Sequence, residues 1–306
     1  GDIRAEVMGH EPREATPGEI QQMKEVAREA MRTGAWGMST GLEYIPGRYA
    51  TAEEITEIAK VIGEFGGVYA SHMRNENSEI REAIQETVRI GEETGVPVVV
   101  SHLKVTGKSN WGLMEDAVQA IQDAQDRGVE IMADQYPYTQ SSPIGLLWSF
   151  LAIPHDLEAL AELRRGSGRR DVSSSERVAL QEKYMGELEK ALSDPRKRER
   201  IREATEVGGP NDPSAVAMWG WGDFSVLVAD KNRHLEGTNF TDLPGAKEGS
   251  IFDTVVDLML DEPNLLYGGG SQSEADLEHA LAQDWVMVSS DGSAVPMVDE
   301  SAESIR

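Results

Sequence analysis

Val68-Tyr69-Ala70-Ser71-His72, Val96-Pro97-Val98-Val99-Val100-Ser101-His102 and Val129-Glu130-Ile131-Met132-Ala133-Asp134 decide how this chain reads. Each is a short apolar run ending in a chemically reactive side chain, which is the pattern of a buried strand. Helical spacing fills the gaps. Ile55, Ile58, Ala59 and Ile62 precede the first run; Ile80, Ala83, Ile84, Thr87 and Val88 the second; Met114, Ala117, Val118 and Ile121 the third. Gly66-Gly67, Gly95 and Gly128 close the three helices. Strand follows helix repeatedly, and the continuous apolar strands predict a parallel sheet covered on both faces. A β/α barrel and an open doubly wound sheet both satisfy that rhythm, and the strand tips separate them. Glu43 stands just beyond a short apolar segment, Ala35 to Gly41, and His72, His102 and Asp134 end the next three strands. Reactive groups spread over several strand ends are the habit of a barrel, whereas an open sheet concentrates its ligand at one switch point. No GxGxxG or Walker loop occurs, and Gly268 to Gly270 lacks the spacing. The expected fold class is therefore α/β, a (β/α) TIM barrel.

Outward from that core, Ile20, Met23, Ala27, Ala30 and Met31 predict a helix over 17–33, with Thr16, Pro17 and Glu19 as its capping signals and Gly34 as its stop. Thr51 and Glu54 form a second capping-box pair. After Ser142 the rhythm breaks. Residues 155–206 are charged and helical, divided by Asp194-Pro195-Arg196, and Phe224 to Ala229 reads as a strand. Ile251, Val255, Leu258 and Met259 mark another helix. Ser273 with Asp276 caps the last one, to about Leu281, and Trp285 to Ser290 is the final strand, ending in Asp291-Gly292. The expected division is βα units over 1–144, an insert of helices and a short strand region over 145–284, and the last barrel strand with its following loop over 285–306.

Composition narrows the partners. Of 306 residues, 39% are hydrophobic and 27% charged, an ordinary balance for a folded globular chain. Asp and Glu number 54 against 29 Lys and Arg, and the formal net charge of -25 argues against nucleic acid and anionic membrane surfaces. With 20 Arg and 9 Lys, the acidity fits either a high-salt adaptation or an ordinary acidic cytoplasmic enzyme. The absence of cysteine excludes disulfides, iron–sulfur clusters and thiolate zinc sites within this chain. The longest apolar run, Gly145 to Ile153, is broken by Ser149 and is far short of the ~18–20 residues of a membrane span. The opening Gly-Asp-Ile-Arg-Ala-Glu is not a signal peptide and has no initiator Met. A cytoplasmic location is expected, and the chain reads as a cleaved product or fragment. No motif speaks to the oligomeric state.

His72 and His102 are the strongest chemical pair. They end consecutive predicted strands, so they should be neighbours, and imidazole suits zinc in mixed nitrogen and oxygen sites. A single strand-end histidine is more often a hydrogen-bonded structural residue; two at equivalent positions weigh toward a metal. Asp291 can touch a metal and accept a proton from water, or simply make an Asp-Gly turn. Glu43 can bridge two metals or be a solvated loop carboxylate. Lys104, two residues past His102, can hold a substrate carboxylate or stay in solvent. Tyr136 offers a hydroxyl for substrate recognition, with packing as its default.

These residues lie in motifs that resemble the N-acyl-D-amino-acid deacylases (D-aminoacylases) of the amidohydrolase superfamily. Gly41-Leu42-Glu43-Tyr44-Ile45-Pro46-Gly47-Arg48-Tyr49-Ala50 is similar to that family's GLxYxPGxYA segment. Ser71-His72-Met73-Arg74 resembles SHxR, Ser101-His102-Leu103-Lys104 resembles SHxK, Asp134-Gln135-Tyr136-Pro137-Tyr138 resembles DxYPY, and Ser290-Asp291-Gly292 resembles the terminal SDG. The resemblance implies a distorted β/α barrel with one or two zinc ions at its mouth. His72 and His102 would be ligands on the strand-five and strand-six side. Asp291 on strand eight would be ligand or neighbour and general base, and Lys104, Tyr136 and Ser142 would hold the substrate carboxylate. It implies zinc-dependent hydrolysis of a small N-acyl-D-amino acid to a carboxylate and a D-amino acid. Hydantoin or dihydropyrimidine ring opening, dipeptide cleavage, and an inactive metal-free fragment are the alternatives.

The departures also count. The strand-one His-x-His pair is absent, His10 standing alone, and the bridging cysteine of some members cannot exist here. Glu43 is the candidate to replace it. The first barrel strands, the small β-domain and an HPR-type segment after SDG have no counterpart, so an incomplete barrel is expected.

Overall fold

The computed structural model describes residues 1–140, 145–167, 174–208, 214–269 and 272–292. In chain order the helices and strands are α1 (Asp2–Met8), α2 (Pro17–Arg32), β1 (Gly37–Gly41), α3 (Ala52–Gly63), β2 (Val68–His72), α4 (Ile80–Thr94), β3 (Val98–Val100), α5 (Met114–Asp126), β4 (Ile131–Gln135), β5 (Gly145–Leu146), α6 (Glu158–Ser167), α7 (Ser174–Ser193), α8 (Pro195–Val207), α9 (Ala215–Trp219), β6 (Ser225–Val228), α10 (Ile251–Asp261), β7 (Leu266–Gly268), α11 (Glu274–Leu281) and β8 (Val286–Val288). The described residues within 1–105, 110–139 and 272–306 form one compact unit, and those within 106–109 and 140–271 another.

The first unit is an α/β structure around a five-stranded sheet in the order β1-β2-β3-β4-β8. Every neighbouring pair is parallel, as the βα rhythm predicts. On one face Tyr69, Val98, Val100, Ile131 and Ala133 are buried with Ile55 and Ala59 of α3, Ile84 and Val88 of α4, and Ala117, Val118 and Ile121 of α5. The expectation of two equally covered faces is corrected. On the other face Met132 is 41% and Met287 45% exposed. An unbroken apolar run therefore marks a buried position only at every second residue here, because successive side chains point to opposite faces.

The capping signals are realised in part. Thr16 and Glu19 close a full capping box on α2, with Pro17 in the first turn. Thr51 accepts from the Glu54 backbone N–H at 3.2 Å, but the Glu54 side chain does not return to complete the box. It pairs instead with Arg4 of α1, both being almost fully buried. A buried cation draws the carboxylate more strongly than one capping bond does. α1 itself is too short to show a period in the sequence; Arg4 and Met8 hold it in place.

Gly37 pairs with Val68 at the start of the β1–β2 ladder, and a Cβ there would fall on the Val68 carbonyl oxygen. Gly37→Ala is expected to cost ~1–3 kcal/mol by overpacking a backbone contact. A urea midpoint that does not move would contradict this.

In the second unit a three-stranded antiparallel sheet, β5-β7-β6, lies with α6 to α10. Its core is aromatic: Phe150 meets Phe224, Phe240 and Tyr267 edge-on at 5.0–5.4 Å between centroids. Asp194 accepts from the Arg196 and Lys197 amides to start α8, at the division between two helical runs that the sequence shows. Among the described residues no helix is long and apolar enough to cross a membrane.

Candidate metal centre

Sheet register builds the site. Gly41 is level with His72, and the Leu42 amide donates to the His72 carbonyl at 3.1 Å, so Glu43 emerges beside His72. Ser71 is level with Val100, and the Ser101 amide donates to the Ser71 carbonyl at 2.9 Å. His102 therefore lands next to His72, as consecutive parallel strands require. The chain turns there rather than continuing the strand: His102 has φ +41. This is why β3 stops at Val100, short of the expected His102. Beyond β8, paired with β4 at Gln135–Val288, the loop carries Asp291, whose φ is +48. Among the described residues, His102 and Asp291 are the only non-glycines with positive φ. Such backbone costs free energy and tends to collect at functional sites.

The two rings meet at 2.9 Å, from Nδ1 of His72 to Nε2 of His102. Behind each ring stands a carboxylate. Nε2 of His72 lies 3.1 Å from Glu43 Oε2, and Nδ1 of His102 lies 2.9 Å from Glu76 Oε1. The outer nitrogens thus face carboxylates, and His102 Nδ1 also has the Lys104 ammonium at 2.8 Å. Carboxylate partners behind histidine ligands are the usual way to fix ring orientation and tautomer. A tetrahedral zinc with ~2.0–2.1 Å bonds separates two ligand nitrogens by ~3.3 Å, close to the spacing here. Ligand atoms of His72, Glu76 and His102 all lie within 4.8 Å of one another. The donor set thus fits a divalent cation.

Glu76 is the residue that sequence reading missed. It is 6% exposed and accepts from Lys104 Nζ at 2.7 Å. Burial alone would push its pKa up; Lys104 and the two histidines outweigh burial and hold it down, at about 2. The only signal in the sequence was its place four residues after His72.

The remaining candidates lie as follows. Lys104 is 5% exposed, and besides Glu76 its ammonium approaches His102 Nδ1 at 2.8 Å and the Tyr136 ring at 5.7 Å. Among the described residues the buried Tyr136 hydroxyl has no hydrogen-bond partner of ordinary length, the Gln272 side chain being the polar group that acts on it. Burial first, and then the charges of Glu76 and Asp291, push its pKa up, so it is a neutral donor. Asp291 stands outside the His72–Glu76–His102 cluster, exposed to solvent, yet its charge reaches Tyr136. Ser142 lies outside the described residues.

No family model matches the chain. A D-aminoacylase from Alcaligenes xylosoxydans xylosoxydans is 45% identical over 140 residues, which are 46% of this chain and 29% of that protein. Over that stretch the chain is similar to the N-acyl-D-amino-acid deacylases. Crystal structures of D-aminoacylase, one described as defining a novel subset of amidohydrolases and another by its binuclear metal centre, are 27% identical with a TM-score of 0.56. They cover 94% of this chain, which matches 45% of theirs. An N-acyl-D-glutamate deacylase from Bordetella bronchiseptica, described as complexed with zinc and a phosphonate mimic of the tetrahedral intermediate, shares the fold at a TM-score of 0.60 and 23% identity. It covers 95% of this chain, which matches 46% of it. The chain thus spans less than half the length of the deacylases it matches.

Proposed function

We propose that the whole protein hydrolyses the amide bond of N-acyl-D-amino acids, using one or two zinc ions at the His72–His102 site. The observation that carries this reading is the pair of imidazole nitrogens facing each other at 2.9 Å, each ring backed by a carboxylate, in a chain similar to the deacylases over part of its length. His72 Nδ1 and His102 Nε2 would hold the metal, with Glu43 and Glu76 fixing the rings; Glu43, on the far nitrogen of His72, is placed to orient that ring rather than to bridge. When bound, zinc supplies Lewis acidity toward an acyl carbonyl and toward water.

The chain's own groups do the rest. Asp291, exposed at the end of its loop, takes the proton from the attacking water and delivers it to the leaving amine. Tyr136, kept neutral, donates its hydroxyl to the substrate carboxylate. Lys104 serves that carboxylate only on leaving Glu76; while paired, it neutralises the charge behind His102. Holding the carboxylate fixes which face of the α-carbon presents the amide, and so which enantiomer reacts. In the same reading the five-stranded sheet is one portion of a closed β/α barrel, and the protein works in the cytoplasm.

The test is a substrate panel on the zinc-loaded protein. N-acetyl-D-amino acids should be cleaved, their L enantiomers spared, and a chelator should stop the reaction. Turnover of hydantoins or dipeptides with none of N-acyl-D-amino acids would overturn the substrate assignment.

A further inference from the structure

We infer that Asp134 is a positioning residue that fixes the His102 turn and the Asp291 loop through one oxygen. This rests on the metal reading above. Oδ1 of Asp134 accepts the His102 backbone N–H at 3.0 Å and the Ser289 hydroxyl at 2.7 Å. The Asp134 main-chain carbonyl also accepts the Leu103 amide at 2.7 Å. One residue near the end of β4 therefore grips the turn after β3 twice and the loop after β8 once. Among the described residues its hydrogen bonds go to the His102 and Leu103 amides and the Ser289 hydroxyl, not to the facing imidazole nitrogens.

The need for such a residue lies in the backbone. His102 reaches His72 only because its φ is +41, a left-handed conformation that an L side chain adopts at a cost. A charged acceptor on its N–H offsets part of that cost, since bonds to an ionised group are the stronger ones. Ser289 precedes Asp291, the other left-handed non-glycine, by two residues. The Ser289 amide also donates to the Gln135 carbonyl at 3.0 Å, so this loop is tied to β4 by main chain and side chain together. Both strained positions hang from the same carboxylate.

The experiment measures the zinc dissociation constant of the intact protein by competition with a chromophoric chelator, alongside the cobalt(II) absorption spectrum and turnover. Asp134→Ala should weaken zinc by ~10–100-fold, the range for a lost orienting partner, and should shift the cobalt bands. Asp134→Asn keeps an acceptor oxygen and should recover most of the affinity. Ser289→Ala should leave zinc affinity in place and lower kcat rather than raise KM, because it frees only the Asp291 side. Wild-type zinc affinity in Asp134→Ala overturns the inference, as does an Asn variant as weak as the Ala variant. If Asp134→Ala fails to fold, the Asn and Ser289 variants decide: wild-type kcat in Ser289→Ala removes the link to Asp291. Failure of the wild type itself to bind zinc sinks the metal reading, a different result from any of these.

Discussion

On the proposed zinc reading, His102→Ala should strip zinc from the whole protein and reduce turnover by at least ~10³-fold. A bound metal ion supplies several kcal/mol of transition-state stabilisation, and each ~1.4 kcal/mol is a factor of ten. The substitution removes one of the two imidazoles whose nitrogens face each other, and it leaves the Glu76–Lys104 ion pair to keep the interior satisfied. Alanine tolerates the φ of +41 poorly, so His102→Asn, which suits that conformation, is the proper companion. Both variants should keep the native circular dichroism, lose stoichiometric zinc by elemental analysis, and hydrolyse N-acyl-D-amino acids at background rate. A variant that retains zinc and near-normal turnover shows that His102 is not a ligand.

Glu76→Gln should destabilise the metal-free protein by ~3–5 kcal/mol, the cost of leaving a buried charge without its partner. Lys104 is 5% exposed and has Glu76 as its ion-pair partner, so removing the carboxylate strands the ammonium. The double variant Glu76→Gln with Lys104→Met should regain much of the loss, because it no longer leaves a buried ammonium without its partner. The pH dependence has a definite sign. The Glu76 carboxyl titrates at about 2 in the folded chain and at the ordinary ~4.3 when unfolded. Its contribution is complete above the ordinary carboxylate value and disappears as pH falls from there toward the folded one. Urea unfolding in the presence of chelator should therefore show the wild type losing a share of stability over that acidic window. The Gln variant should lack that share; equal slopes for the two proteins would rule the argument out.

The reading of the fold from sequence rested on period and tip, and both are local quantities. The helices α2 to α5, their capping residues and the parallel neighbours β2, β3 and β4 follow from spacing within some thirty residues of chain. His72, His102 and Glu43 converge as strand-end logic requires, because parallel register carries equivalent positions to the same rim. What escaped depends on through-space partners. Glu54 looked like a box residue, yet Arg4 claims it, and the two are 50 positions apart. Glu76 sits in a loop without periodicity, and its pairing with Lys104 joins two different βα loops. Lys104 looked solvated because a lysine usually is; only the buried carboxylate opposite explains why it is not. Asp291 could be read as a base from its motif, but neither its left-handed φ nor its tie through Ser289 to Asp134 is visible in the letters Ser-Asp-Gly.

The two facing imidazoles come from consecutive βα units only 30 positions apart, whereas the Ser289 hydroxyl reaches Asp134 across 155. Loop-closure entropy grows with separation, so the histidine pair, once β3 lies on β2, closes a far shorter stretch of chain than the Ser289–Asp134 bond does. On the proposed metal reading, the two nitrogens that would hold the ion are therefore brought together by local chain, and the loop of the proposed base by distant chain. The two halves of the candidate site thus differ in how much ordered chain each one requires.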